Sequence, residues 1–117
     1  MLVQQRAGYA KASQPSTKIN FEVPAGACDC HTHIHGDPAR FPWFAKRTYT
    51  PEMALPEEMS ALHKALNIQR VVIVTPRNYV TDNRATVDAI AQLGADARGV
   101  AVVHPTVTDV ELKKLNE

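Results

Sequence analysis

The sequence predicts a parallel α/β fold, on three observations. Two runs, Arg70-Val71-Val72-Ile73-Val74-Thr75 and Gly99-Val100-Ala101-Val102-Val103, are apolar without alternation. That is the pattern of strands covered on both faces of a parallel sheet. A third strand-like stretch, Ala27 to Ile34, lies ahead of them, and a helical pattern follows each strand. The resulting order of strand, helix, strand, helix, strand, helix repeats every ~30 residues and suits right-handed crossovers. Periodicity alone leaves two architectures open, a doubly wound sheet and a segment of a (β/α)8 barrel.

Met1 to Asn20 shows neither a helical nor a strand period and reads as a flexible arm, taken here as residues 1–22. Ala10-Lys11-Ala12 before Ser13 has the small-x-small form of a signal-peptidase site. Only Met1, Leu2 and Val3 resemble the ~7–15 apolar residues that a complete export signal carries upstream. An ordinary tail is therefore the preferred reading, with a cytoplasmic location. A clipped signal, and with it the periplasm, is the alternative.

The turn-forming Pro24-Ala25-Gly26 leads into the first strand. From His35 to Leu55 runs a connection rich in proline and aromatics, and loops of that length inside a compact domain lean towards function. Pro56 suits the first turn of a helix, and Glu57 and Glu58 follow where the helix dipole favours acids. Met59, Leu62, Ala65 and Leu66 make its apolar stripe. Thr81 or Asp82 is the expected cap of a second helix bearing Ala85, Val87, Ile90, Ala91 and Leu93, with Gly94 as its stop. Thr108-Asp109-Val110-Glu111 is a capping box that opens a third helix over 110–115.

Composition narrows the function. With 44% hydrophobic and 21% charged residues and a formal net charge of +1, the 117-residue chain has no footprint for nucleic acid or an acidic membrane surface. No apolar run approaches the ~20 residues of a membrane span. The two cysteines, Cys28 and Cys30, are too few for a disulfide scaffold, and their spacing on a strand is poor for pairing with each other.

The strongest chemical signal is Asp29-Cys30-His31-Thr32-His33. Strand alternation predicts Asp29, His31 and His33 on one face, with Cys28, Cys30 and Thr32 on the other. Two imidazoles two residues apart present nitrogens to one ion or one substrate carbonyl, and neutral imidazole suits zinc and related metals. The pair lies at the C-terminal end of its strand, where parallel sheets place their active sites. Asp29 is positioned to accept a hydrogen bond that fixes a histidine tautomer. His35 continues the alternation and reads equally as ligand or loop residue. The cysteines read as small residues buried against the helices. Should alternation fail, Cys28, Cys30, His31 and His33 together would form a small metal-binding module.

The stretch PAGACDCHTHIHG, with RFPWFAKRTYTP after it, resembles the amidohydrolase-related family of TIM-barrel hydrolases, in the branch of 2-pyrone-4,6-dicarboxylate and sugar lactonases. The resemblance continues through ALHKALNIQRVVIVTP, YVTDN, ARGVAVV and VTDVELKKLNE, so it covers residues 23–117. It implies the first part of a (β/α)8 barrel, cut after about three of its units, and the hydrolysis of a lactone with a carboxylated or sugar-derived acid portion. His31 and His33 would be catalytic, either as ligands of one divalent ion, zinc by preference, or in direct contact with substrate without metal. A later-strand histidine and an aspartate acting as base would complete the family's site, and both fall beyond the residues matched. Catalytic incompleteness of this chain alone is the alternative expectation. Val80 departs from the family, which often has glycine there.

Tyr49 matches a tyrosine that faces substrate in the lactonase branch. Arg77 and Tyr79 follow the second strand, where a barrel lines its pocket, and Arg77 suits a substrate carboxylate. Arg47 has a weaker case, since Lys46 beside it suggests a plain exposed pair. Phe41, Trp43 and Phe44 are expected to pack over apolar surface near the strand ends, and His63 to sit at or near the helix surface. The expected partners are a small anionic or lactone substrate and, through the open sheet edge, a second copy of the chain. Nucleic acid and membrane are not expected.

Overall fold

A computed structural model describes Gln14 and residues 16–117. Most of the N-terminal arm, including Ala10-Lys11-Ala12, lies outside the described residues. Three strands, β1 (Cys28–Thr32), β2 (Arg70–Val74) and β3 (Ala97–Val100), form one parallel sheet in the order β1-β2-β3. Three helices, α1 (Pro56–Ala65), α2 (Arg84–Leu93) and α3 (Asp109–Asn116), follow the strands in turn. The parallel α/β reading therefore holds. Among the described residues no helix is long and apolar enough to cross a membrane.

Local chemistry accounts for the element ends. Gly26 takes φ +76° in the turn closed by the Ala27 N–H to the Pro24 carbonyl at 3.2 Å, and β1 starts two residues later. Pro56 opens α1, and the Glu58 carboxylate reaches back to the Leu55 N–H at 2.9 Å. The capping box of α3 is complete: Thr108 Oγ1 accepts from the Glu111 N–H, while Glu111 Oε2 accepts from the Thr108 N–H at 2.8 Å. These bonds hold the Glu111 carboxyl below the usual range.

Three expectations need correction. α2 begins at Arg84 with Asn83 as its cap residue, not at Thr81 or Asp82; Asp82 is instead spent on the Arg84 side chain, at 2.8 and 2.9 Å. Its covered face carries Ala85, Thr86 and Ala89, while Val87 is exposed. β3 starts two residues early, at Ala97, and is not buried on both faces, since Val100, Val102 and Val103 are exposed. Its far edge has no neighbouring strand among the described residues, so that edge meets solvent.

The main core is Ile34, Met59, Val71, Ile73, Ala89 and Ala97, with Ile90 and Leu93 packed against it. It lies between the sheet and α1 and α2, and among the described residues no helix covers the other face of the sheet, where Cys30, His31 and Val100 are exposed. At Gly99 a β-carbon would sit 2.6 Å from Ile90 Cδ1, so β3 and α2 approach as closely as glycine allows. A second cluster of Phe41, Trp43, Tyr79 and Ala85 lies under the long connection. That connection is closed at its base by paired backbone bonds between His35 and Ala54, at 3.0 and 2.9 Å.

Candidate active site at the strand ends

The register of β1 on β2 decides which side chains face which way. Ala97 and Gly99 face α2, and their partners Val71 and Ile73 are buried on that same side. Asp29 pairs with Val71 and Thr32 with Ile73, so three steps along β1 match two along β2. One extra residue is accommodated by a bulge. Asp29, Thr32 and Ile34 thus face the helices, while Cys28, Cys30, His31 and His33 face the uncovered side.

The predicted alternation accordingly fails between Asp29 and His31. Asp29 lies on the helix side, where its carboxylate accepts from Nε2 of His63 at 2.9 Å and, more loosely, from the His31 N–H at 3.4 Å. His63 is buried within α1 on the same stripe as Pro56 and Met59, not at the surface. Its place four residues after Met59 was the available signal. Cys28 is half-buried and Cys30 exposed on the sheet's open side, so neither packs against the helices as expected.

His31 and His33 stand edge to face with ring centroids 5.3 Å apart, and both are exposed. His33 Nδ1 lies 2.8 Å from the Val74 carbonyl oxygen. A carbonyl only accepts, so Nδ1 carries the proton, and in the neutral ring Nε2 keeps its lone pair for a hydrogen-bond donor or a metal ion. Two imidazole nitrogens therefore fit part of a metal's ligand set. Among the described residues no group of three or more His, Cys, Asp or Glu side chains is gathered closely enough to hold an ion. The four-residue Cys/His module is thus not assembled, although its members share a face.

Val74, which holds His33, ends β2, and the next residue, Thr75, borders a cavity of about 450 Å³. Phe44, Lys46, Arg47, Tyr49, Arg77 and Asn78 supply most of its walls. The structure thus brings Tyr49 and Arg77 together in one cavity, while His31 and His33 lie outside its lining, His33 being linked to it through Val74. Arg47 reaches Thr50 Oγ1 at 3.1 Å and lies 5.5 Å over the Trp43 ring, which stiffens it in place. Lys46, expected as a plain exposed charge, joins Arg47 and Arg77 in giving the cavity a cationic lining. Phe44, expected to pack, is exposed there. Only the fold of residues 44–49 onto the turn at 77–79, through the Phe44 N–H to the Asn78 carbonyl at 2.7 Å, reveals this grouping.

Tyr79, predicted to face substrate, is buried among Phe41, Trp43 and Ala85. Its hydroxyl accepts from the Gly36 N–H at 2.9 Å and from Trp43 Nε1 at 3.2 Å. Burial pushes the phenol up and keeps it protonated. His35 lies between the site and this cluster, 6.3 Å from the His33 ring and 6.5 Å from the Tyr79 ring. Burial, and then His33, push its imidazole down to about 4, and its Nδ1 is buried without a hydrogen-bond partner.

Comparison with known proteins places the chain in a family. Residues 28–117 match the family model described as Amidohydrolase. The chain is 40% identical over 109 residues to a 2-pyrone-4,6-dicarboxylate hydrolase of Comamonas testosteroni, covering 93% of this chain and 34% of that protein. It is 36% identical over 118 residues to a 4-sulfomuconolactone hydrolase of Rhizobium radiobacter, covering 98% and 40%. A solved structure named as a probable 2-pyrone-4,6-dicarboxylic acid hydrolase from Acinetobacter baumannii, with citric acid bound, superposes with a TM-score of 0.72 at 27% identity. That match covers 78% of this chain and 34% of the other. The chain spans about a third of the length of the curated relatives it matches. By the match over residues 28–117, the chain belongs to the amidohydrolase family.

Proposed function

We propose that residues 23–117 supply the first three βα units of a (β/α)8 barrel that opens lactones carrying a carboxylate or a sugar-derived acid. The observation that carries this reading is the His31–His33 pair at the end of β1, with His33 bonded to the Val74 carbonyl one residue before Thr75, which borders a cavity bearing Lys46, Arg47, Tyr49 and Arg77. Names of the relatives, a pyrone-dicarboxylate hydrolase and a sulfomuconolactone hydrolase, support an anionic cyclic ester as substrate class.

In this reading Arg77 and Arg47 take the substrate's carboxylate, for which the guanidinium fork is suited. Tyr49 donates its phenol proton to a carboxylate or carbonyl oxygen. His31 and His33 face the scissile carbonyl: a ring nitrogen that carries a proton donates to its oxygen, while an unprotonated one is free for a metal ion. A divalent ion such as zinc, if bound by the two imidazoles, would polarise that carbonyl and activate water; otherwise the imidazoles contact the substrate directly. The later-strand histidine and aspartate base that the family resemblance implies complete the reaction. Asp29 acts from the helix side through the His31 N–H. The free edge of β3, with Val100, Val102 and Val103 exposed beside it, is where a second copy or further strands would pair. Sedimentation of the chain alone tests the second-copy pairing, with a monomer at all concentrations counting against it.

The test joins this chain to the remaining part of the Rhizobium radiobacter relative and follows ring opening of a carboxylated lactone. His31→Ala and His33→Ala should each lower kcat/KM by about 100-fold or more. Arg77→Met should raise KM about 10-fold with less change in kcat. Near-native turnover in the double histidine variant would end this reading.

A further inference from the structure

The turn that follows the second strand holds a conformation that its sequence opposes. The Asp82 N–H bonds the Tyr79 carbonyl at 2.9 Å and closes a four-residue turn with Val80 in its second place. Val80 takes φ +55° and ψ −106°, close to the roughly +60° and −120° of a type II′ turn, a place that favours glycine. A β-branched side chain resists that backbone. Burial does not offset the cost, since Val80 is 42% exposed. Outliers of this kind cluster at binding sites, and Val80 borders the cavity that holds Tyr49 and Arg77.

Two further exposed apolar residues, Phe44 and Val102, border the same cavity. Both are held in place. The Phe44 N–H bonds the Asn78 carbonyl at 2.7 Å, two residues before Val80. Val102 is pinned through its backbone to the Asn83 side chain, which accepts from its N–H at 2.9 Å and donates to its carbonyl at 2.8 Å. One short segment, residues 78–83, therefore fixes all three. Apart from Val102, the cavity walls come from residues 44–49 and 75–80, between β1 and α2. The cavity thus offers two chemistries. Lys46, Arg47 and Arg77 carry charge for an acid, while the apolar trio supplies no side-chain donor or acceptor. Apolar surface held rigidly rewards an alkyl group and penalises a polar one that must shed water without gaining a partner.

We infer that Val80, with Phe44 and Val102, determines specificity at this site, favouring anionic lactones with a small alkyl substituent over the same lactones bearing a hydroxyl. The substrate's acid group lies against the cationic side chains and its alkyl group against the apolar ones. This inference rests on the lactone reading and narrows it, because hydroxylated, sugar-derived acids become the poorer class. Glycine at position 80 would suit the turn but would leave no side chain on the wall.

The probes are saturated five-membered lactones with one acetic acid side chain, differing only in hydrogen, methyl or hydroxyl on the neighbouring ring carbon. Binding to the intact chain is followed by NMR titration, and ring opening in the protein joined to the remaining part of the Rhizobium radiobacter relative. The methyl lactone should bind about 10-fold more tightly than the hydroxyl one, with the same order in kcat/KM. Val80→Thr keeps the shape and the β-branched backbone but adds a hydroxyl, and should bring that ratio to about 1. Val80→Ala should weaken binding of the methyl lactone by about 5-fold and leave the hydrogen one within about 2-fold. Circular dichroism should show both variants folded as the native chain is. The same preference in binding without any ring opening would end the lactone reading and leave the assignment of the wall standing. Ring opening with an equal ratio in native and Val80→Thr proteins, or binding of none of the probes, would overturn the inference.

Discussion

The Asp29 carboxylate accepts a hydrogen bond from Nε2 of His63 at 2.9 Å, and this bond ties α1 to β1 at the residue where the strand bulges. His63 is buried and Asp29 only partly so, which makes the pair asymmetric to disruption. Asp29→Ala leaves a buried imidazole N–H without an acceptor and should cost about 1–3 kcal/mol. Asp29→Ala with His63→Leu removes both polar groups and should recover part of that loss. Urea unfolding of the two single variants and the double variant measures the coupling. Strict additivity would show that the bond does not hold the two elements together.

Tyr79 should matter for stability rather than recognition. Tyr79→Phe removes the oxygen that accepts from the Gly36 N–H and Trp43 Nε1, both in buried surroundings. A loss of about 1–3 kcal/mol is expected, read as a lower thermal midpoint together with a shift in Trp43 fluorescence. An unchanged midpoint would mean that water replaces the hydroxyl without cost.

His35 gives stability a pH dependence of defined sign. Its folded-state imidazole is lowered to about 4, by burial first and by His33 second, from an ordinary value of 6.5. Between these values the unfolded chain binds the extra proton, so stability is fully present above about pH 6.5 and is lost as pH falls towards 4. Partial solvent access limits the effect to on the order of 2 kcal/mol. Denaturant midpoints from pH 7 to pH 4 should fall in the native chain, and His35→Phe should flatten that fall.

Val80 carries φ +55° and ψ −106° at the end of the short turn 77–79, a conformation that a β-branched side chain resists. It is also the position at which the family resemblance implies glycine. Val80→Gly should relieve the strain at the cost of some chain entropy, for a net gain of about 1 kcal/mol. The thermal midpoint reports it, and a fall would show that Val80's packing outweighs its backbone cost.

Much of the architecture was legible because its signals are local. Pro56 with Glu58, the Thr108–Glu111 box and the Gly94 stop depend on contacts within a few residues, and each does what the sequence implies. The run Arg70–Val74 is a strand because its β-branched side chains suit a covered sheet position. The start of α2 was misplaced because Asp82 found a guanidinium, Arg84, that competes with its capping role. Loop aromatics were harder still, since Phe41 and Trp43 turned inward while Phe44, next in line, borders the cavity.

By itself, the sequence determined the parallel α/β order, the histidine pair at the end of the first strand and the basic and tyrosine residues that follow the strands. Tertiary structure alone decided that Asp29 serves His63, that the cysteines share the histidines' face, and that Tyr79 is buried. The physical reason is that a strand's period of two specifies faces only while pairing stays regular. One extra residue, set by how β1 seats against β2, reverses every side chain beyond it, and no pattern within residues 28–34 records that partner.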